Sequence, residues 1–100
     1  MIEHIVMWKF ADNAEGVSRE ENIRKVAAML YALPSRLPFI RGMKIKQNSN
    51  DNGTNFDAVL LCEFDSLADV AAYRVHPEHV KVSQFVAKVT TARACVDYEI

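Results

Sequence analysis

The chain has little of what marks a specialised class of protein. Lysine and arginine number 12 against 13 aspartates and glutamates, a net charge of -1, and no basic run or aromatic stripe is present to follow a phosphate backbone. A nucleic-acid partner is therefore not expected. No uninterrupted apolar run comes near the roughly 20 residues of a membrane-spanning helix. The N-terminal segment carries Glu3, His4 and Lys9 in place of the basic start and small-residue cleavage site of a signal peptide. No membrane association is expected, and the expected location is cytoplasmic. Only two cysteines are present, Cys62 and Cys95, without CxxC or Cys/His finger spacing, so both read as buried, reduced thiols in strands.

What is there is a chain of 100 residues, half of them hydrophobic, enough for one compact domain over residues 1–100. Ile2 to Phe10 reads as a strand with Ile2, His4, Val6, Trp8 and Phe10 on one face and Ile5 and Met7 on the other. After a polar turn, Ser18 and Glu21 fit a capping box. It opens a helix carrying Ile23, Val26, Leu30 and Leu33 at helical spacing up to Pro34. A weaker alternation around Met43 and Ile45, interleaved with Lys44 and Lys46, predicts an edge strand. The asparagine-rich stretch Asn48 to Asn55 predicts the turn of a hairpin whose return strand, Phe56 to Phe64, is apolar on both faces. Ser66 and Asp69 predict the cap of a second helix carrying the apolar Leu67, Val70 and Ala71. A third helical stretch carries Val82, Phe85, Val86 and Val89, and Ala94 to Ile100 alternates as a last strand.

The order βαββαβ predicts an α+β, ferredoxin-like domain with an antiparallel sheet of order 4-1-3-2. Helices cover one face of such a sheet, yet its two central strands are apolar on both. A second copy is the simplest cover, giving a homodimer through the sheet face in the form of a dimeric α+β barrel. In that order the two cysteines lie on strands either side of the first, beyond disulfide reach.

The richest segment is Tyr73-Arg-Val-His-Pro-Glu-His79. Pro77 has no N–H for a helix interior and pushes His76 out of helical geometry, so one helix ends near Val75 and another starts at Pro77. His76 becomes a cap, His79 falls in the first turn, and Tyr73 closes the preceding helix. Tyr73 and His79 can thus converge, and the helix N-terminus biases His79 toward its neutral, proton-accepting form.

His4 in an apolar strand ending Trp8-Lys9-Phe10, the Tyr73 to His79 segment and the closing Val96-Asp97-Tyr98-Glu99 together resemble the stress-responsive A/B barrel (Dabb) domain family. Within it, the chain resembles the olivetolic acid cyclase-like proteins. The resemblance implies a homodimeric barrel that binds a small hydrophobic ligand and needs no cofactor. It also implies that Tyr73 and His79 do aldol-type acid–base work on a polyketide thioester, with His4 and Asp97 in the same site. Trp8, bulkier than the aliphatic residue of that cyclase, implies a narrower pocket.

In chemical terms, His79 would be the base on a carbon beside a carbonyl, and Tyr73 the donor to the developing enolate. Asp97 would fix the imidazole tautomer of His79, although its strand parity sets it opposite the apolar Val96 and Tyr98. His4, Val6, Trp8, Met29 and Phe85 are the expected ligand-binding residues. No metal is expected, since Pro77 sends His76 and His79 apart and no thiol or carboxylate completes a set with His4. The rival functions are a non-catalytic ligand-binding or stress-associated module, a cofactor-independent monooxygenase of the same fold, and a structural oligomer.

Overall fold

The computed structural model describes residues Met1–Ile100 and contains β1 (Ile2–Phe10), β2 (Asn13–Ala14), β3 (Val17–Ser18), α1 (Arg19–Tyr31), β4 (Gly42–Gln47), β5 (Ala58–Phe64), α2 (Leu67–Val75), α3 (Pro77–Val89) and β6 (Thr90–Glu99). The main sheet has the order β4-β5-β1-β6 and is antiparallel throughout. Counting only its four strands, this is the expected 4-1-3-2 ferredoxin-like sheet. The lysine-bearing strand is an edge, as its composition predicts.

Local chemistry accounts for the helix starts. The Ser18 hydroxyl accepts from the Glu21 amide at 3.3 Å and the Ser66 hydroxyl from the Asp69 amide at 3.2 Å, each satisfying a donor that a helix start leaves open. Only half of the predicted capping box forms, because the Glu21 carboxylate turns to Arg24 instead. The polar turn after β1 closes as the small β2–β3 hairpin, in which Glu15 and Gly16 take positive φ. The buried Asn22 amide donates to the Ala14 carbonyl and ties that hairpin to α1.

Two strand starts and one helix face differ from the sequence expectation. Phe56 lies in the loop before β5. The last strand begins at Thr90, because Thr90 caps α3 in extended geometry and the chain enters the sheet at once. Leu67 is 62% exposed; the inward residues of α2 are Val70 and Tyr73, one helical turn apart.

Register decides which side of each strand meets the helices. Ile2, His4, Val6, Trp8 and Phe10 are buried, as are Ala58, Leu60, Cys62 and Phe64 opposite them. The other face carries Ile5, Met7, Val59 and Leu61, none of them buried. β6 continues that face with Ala94, Val96 and Tyr98, of which Val96 is 53% and Tyr98 45% exposed. Thus the apolar half of β6 belongs to the open sheet face and its polar half faces the helices. The expectation that parity turns Asp97 away from the site is corrected: Asp97 pairs directly with His4 in the register. The expectation for Cys95 is also corrected, since it is exposed on an edge strand, whereas Cys62 is fully buried; both thiols are free.

Candidate functional site

The α2–α3 junction has the geometry that Pro77 dictates. His76 is extended (φ -64°, ψ 133°) and serves both helices. Its backbone N–H donates to the Tyr73 carbonyl, and its ring Nδ1 accepts from the Glu78 amide at 3.1 Å. His76 is therefore committed to capping. Reversing the chain here brings the Tyr73 and His79 rings together, with centroids 4.1 Å apart. His4 reaches the same point from β1, its ring centroid 5.9 Å from that of Tyr73.

These three rings sit at one end of a cavity of about 550 Å3 between β1, the start of β6 and α3. Val6, Trp8, Leu30, Leu60, Val82 and Val86 make its apolar walls. Arg74, Ser83, Thr90, Thr91 and Arg93 bring polar groups to it. Of the expected ligand-binding residues, His4, Val6 and Trp8 line the cavity, while Met29 and Phe85 do not. Both pack partly buried against the core elsewhere. On α1 it is the next residue, Leu30, that points inward. On α3 the inward stripe runs through Val82 and Val86, and Phe85 is turned off it by the helical period.

Tyr73 is fully buried and lines the cavity. Its hydroxyl has no hydrogen-bond partner in the protein. Burial, reinforced by Cys62, pushes the phenol well above its ordinary range, with Arg93 opposing; it remains a neutral donor. Orphaned buried hydroxyls are uncommon in native structures and invite an explanation. Cys62, below it, is pushed up to about 12 by burial and is inert packing.

His79 is half-buried, and its Nδ1 lies 3.2 Å from the Arg74 carbonyl. A carbonyl only accepts, so Nδ1 carries the proton and Nε2 keeps the lone pair. Burial lowers its pKa from 6.5, helped by the nearby His4, Arg74 and Arg93, and the Arg74 carbonyl bond opposes the shift. The neutral form expected from the helix N-terminus is thus present, but desolvation is its main cause. The expectation that Asp97 orients His79 is corrected. Asp97 bonds His4 Nδ1 across the β1–β6 ladder, and a backbone carbonyl of the junction sets the tautomer of His79 instead. Arg74 and Arg93 are the functional candidates that the sequence reading missed. Neither forms an ion pair, and Arg93 falls outside the strand that the alternation from Ala94 predicts, whereas β6 begins at Thr90 and includes it. Two other arginines are paired, Arg41 with Asp65 and Arg36 with Glu78.

No helix is long and apolar enough to cross a membrane. Among known proteins, the chain is 32% identical over 82 residues to a stress-response A/B barrel domain-containing protein of Arabidopsis thaliana, covering 82% of this chain and 30% of that one. It thus spans less than a third of that relative's length. A dimeric protein of unknown function and ferredoxin-like fold from Bacteroides fragilis is 36% identical, with TM-score 0.84 over 99% of this chain and 95% of that one. The hydroxynitrile lyase of Passiflora edulis is 17% identical with TM-score 0.83, over 99% and 92% of the two chains, a likeness of fold alone. Residues 2–100 match the model of the Stress responsive A/B Barrel Domain, and the chain belongs to that family.

Proposed function

We propose that the protein is a homodimer that binds a small, mostly apolar carbonyl compound in the cavity and moves a proton on it, with His79 as base and Tyr73 as donor. The observation that carries this reading is the pairing of the two rings. A neutral His79 with its lone pair on Nε2 packs against the ring of Tyr73, whose buried hydroxyl no protein group satisfies. A carbonyl oxygen accepting from that hydroxyl would satisfy it and set the adjacent carbon beside the base. In the step, Nε2 takes the proton from that carbon and the electron pair moves to the carbonyl oxygen, where the Tyr73 O–H bond stabilises the developing charge. The enolate carbon then attacks a second carbonyl of the same molecule, as in an aldol closure, and the imidazolium returns its proton to the new alkoxide. The unpaired Arg74 and Arg93 disfavour imidazolium in the resting site and suit an anionic end on the ligand.

The dimer follows from the open sheet face, where Ile5, Met7, Val59, Leu61, Val96 and Tyr98 form one apolar surface on a small chain. The dimeric Bacteroides fragilis protein supports it. The exposed free thiol of Cys95 suits a reducing compartment such as the cytoplasm.

The test is deuterium exchange at the α-carbon of alkyl and aryl ketones, with and without a terminal carboxylate, followed by NMR. Exchange above background that disappears in His79→Ala while binding persists is the expected result. Binding without exchange in the unaltered protein would make it a carrier, and no binding of any member would refute both readings.

A further inference from the structure

His4 also belongs to a second cluster, whose other members, Cys95 and Asp97, do not line the cavity. His4 Nδ1 contacts Asp97 Oδ1, and the Cys95 Sγ lies 3.7 Å from the same nitrogen. The three donor atoms, Nδ1, Sγ and a carboxylate oxygen, all lie within 4.8 Å of one another. They come from two adjacent strands. His4 and Asp97 are direct cross-strand partners, and Cys95 is two residues along on the same face of β6.

This is not the chain of a nucleophilic thiol. A Cys–His–Asp relay needs the thiol on one ring nitrogen and the carboxylate on the other, so that the proton passes across the imidazole. Here both contacts fall on Nδ1. Three donor atoms gathered within 4.8 Å of one another, instead of strung across the imidazole, have the arrangement of ligands around an ion.

We propose that His4 Nδ1, Cys95 Sγ and Asp97 Oδ1 form a binding site for a borderline divalent transition metal of the zinc or cobalt(II) kind. Nitrogen, thiolate and carboxylate donors together select such an ion over magnesium or calcium, which take oxygen ligands. Metal–nitrogen and metal–oxygen bonds of about 2.0–2.2 Å and a metal–sulfur bond of about 2.3 Å in a tetrahedral site place donors roughly 3.3–3.7 Å apart. The 3.7 Å between Sγ and Nδ1 already meets that spacing. Asp97 is drawn closer only by its hydrogen bond to the ring. Its side chain, 26% exposed on an edge strand, can swing back, while His4 at 3% is held by the core. On binding, the Cys95 thiol proton leaves to solvent and the ring proton relocates from Nδ1 to Nε2, so each donor presents a lone pair. Three protein ligands leave a fourth position, and the exposure of Cys95 opens it to solvent. That is the form of a site whose ion exchanges or takes an external ligand, not of a closed structural one. The sequence expectation of no metal rested on grouping His4 with His76 and His79. The β6 register supplies the missing thiol and carboxylate.

The experiment is calorimetric titration of the metal-free, reduced protein with Zn2+, together with Co2+ titration read by absorption. The expected result is one ion per chain and a thiolate-to-Co(II) charge-transfer band. Cys95→Ser should abolish the band, and both Cys95→Ser and Asp97→Asn should weaken Zn2+ binding by at least about tenfold. Cys95 and Asp97 lie outside the packed core, so these variants keep the fold, and Cys62→Ala, which removes the other thiol, should leave the band in place. No uptake, or Zn2+ binding that Cys95→Ser leaves unchanged, would overturn the assignment.

Discussion

Tyr73→Phe separates a functional hydroxyl from a structural one. The substitution removes a single oxygen and keeps the ring, whose centroid lies 4.1 Å from that of His79, 5.1 Å from Phe64 and 5.9 Å from His4. Packing is therefore preserved, and the energetic change belongs to the hydroxyl. A buried polar group without a partner destabilises a fold by about 1–3 kcal/mol. The Tyr73 hydroxyl has no protein partner and almost no solvent-accessible surface, so the effect should be at least at the lower end of that range. Ligand-free Tyr73→Phe should thus be more stable than the parent by about 1 kcal/mol, a rise in Tm of roughly 4–8 °C for a domain of this size. Urea denaturation and calorimetry should be run at one fixed chain concentration, since the proposed dimer would make Tm concentration-dependent. The same variant should lose α-proton exchange, so stability and activity move in opposite directions, as expected where a site holds an unsatisfied group for its ligand. A loss of more than about 1 kcal/mol would mean that the hydroxyl is structurally bonded, and unchanged exchange would remove Tyr73 from the chemistry.

The pH dependence of His79 has a definite sign. Its folded pKa lies below the ordinary 6.5, so the folded site binds its proton less tightly than the unfolded chain does. Its contribution to stability is complete above about pH 6.5 and declines as the pH falls from there toward the folded value. The acid limb of the exchange rate should accordingly lie below pH 6.5, and a limb midpoint above that value would contradict the burial argument. The open sheet face gives a further expectation. Val96→Arg removes an apolar contact twice per two-fold dimer, roughly 1.5 kcal/mol each, and should weaken association by about a hundredfold in sedimentation equilibrium. An unaltered protein that stays monomeric at micromolar concentration would sink the dimer outright.

How much was legible beforehand depends on the range of the physics involved. Ser18 and Ser66 announce helix starts because a hydroxyl beside open amides is a local matter, and Pro77 announces the break because its ring acts on its own neighbours. The two-residue period of β1 and the uninterrupted apolar run of β5 likewise declared a sheet with one face uncovered. The convergence of Tyr73 and His79 could be read from the same junction, six residues apart.

Asp97 could not be read in that way. Parity along β6 shows that Asp97 and Val96 lie on opposite faces, but on a sheet that is apolar on both sides it does not say which face meets the helices. Only the pairing of β6 with β1 does. It joins His4 to Asp97 across 93 positions of sequence and turns the apolar half of β6 outward. Met29 and Phe85 failed for a related reason, since an apolar residue beside a stripe fixes its element but not the angle at which that helix is rotated against the sheet. Arg93 needed the strand to begin at Thr90, a boundary set by the close of α3. The sequence by itself determined the elements, their order and the aim of the helix junction, because backbone sterics and capping act over a few residues. Tertiary structure alone decided the partners of His4 and Cys95 and which residues line the cavity, because strand register and helix rotation emerge only when distant segments pack.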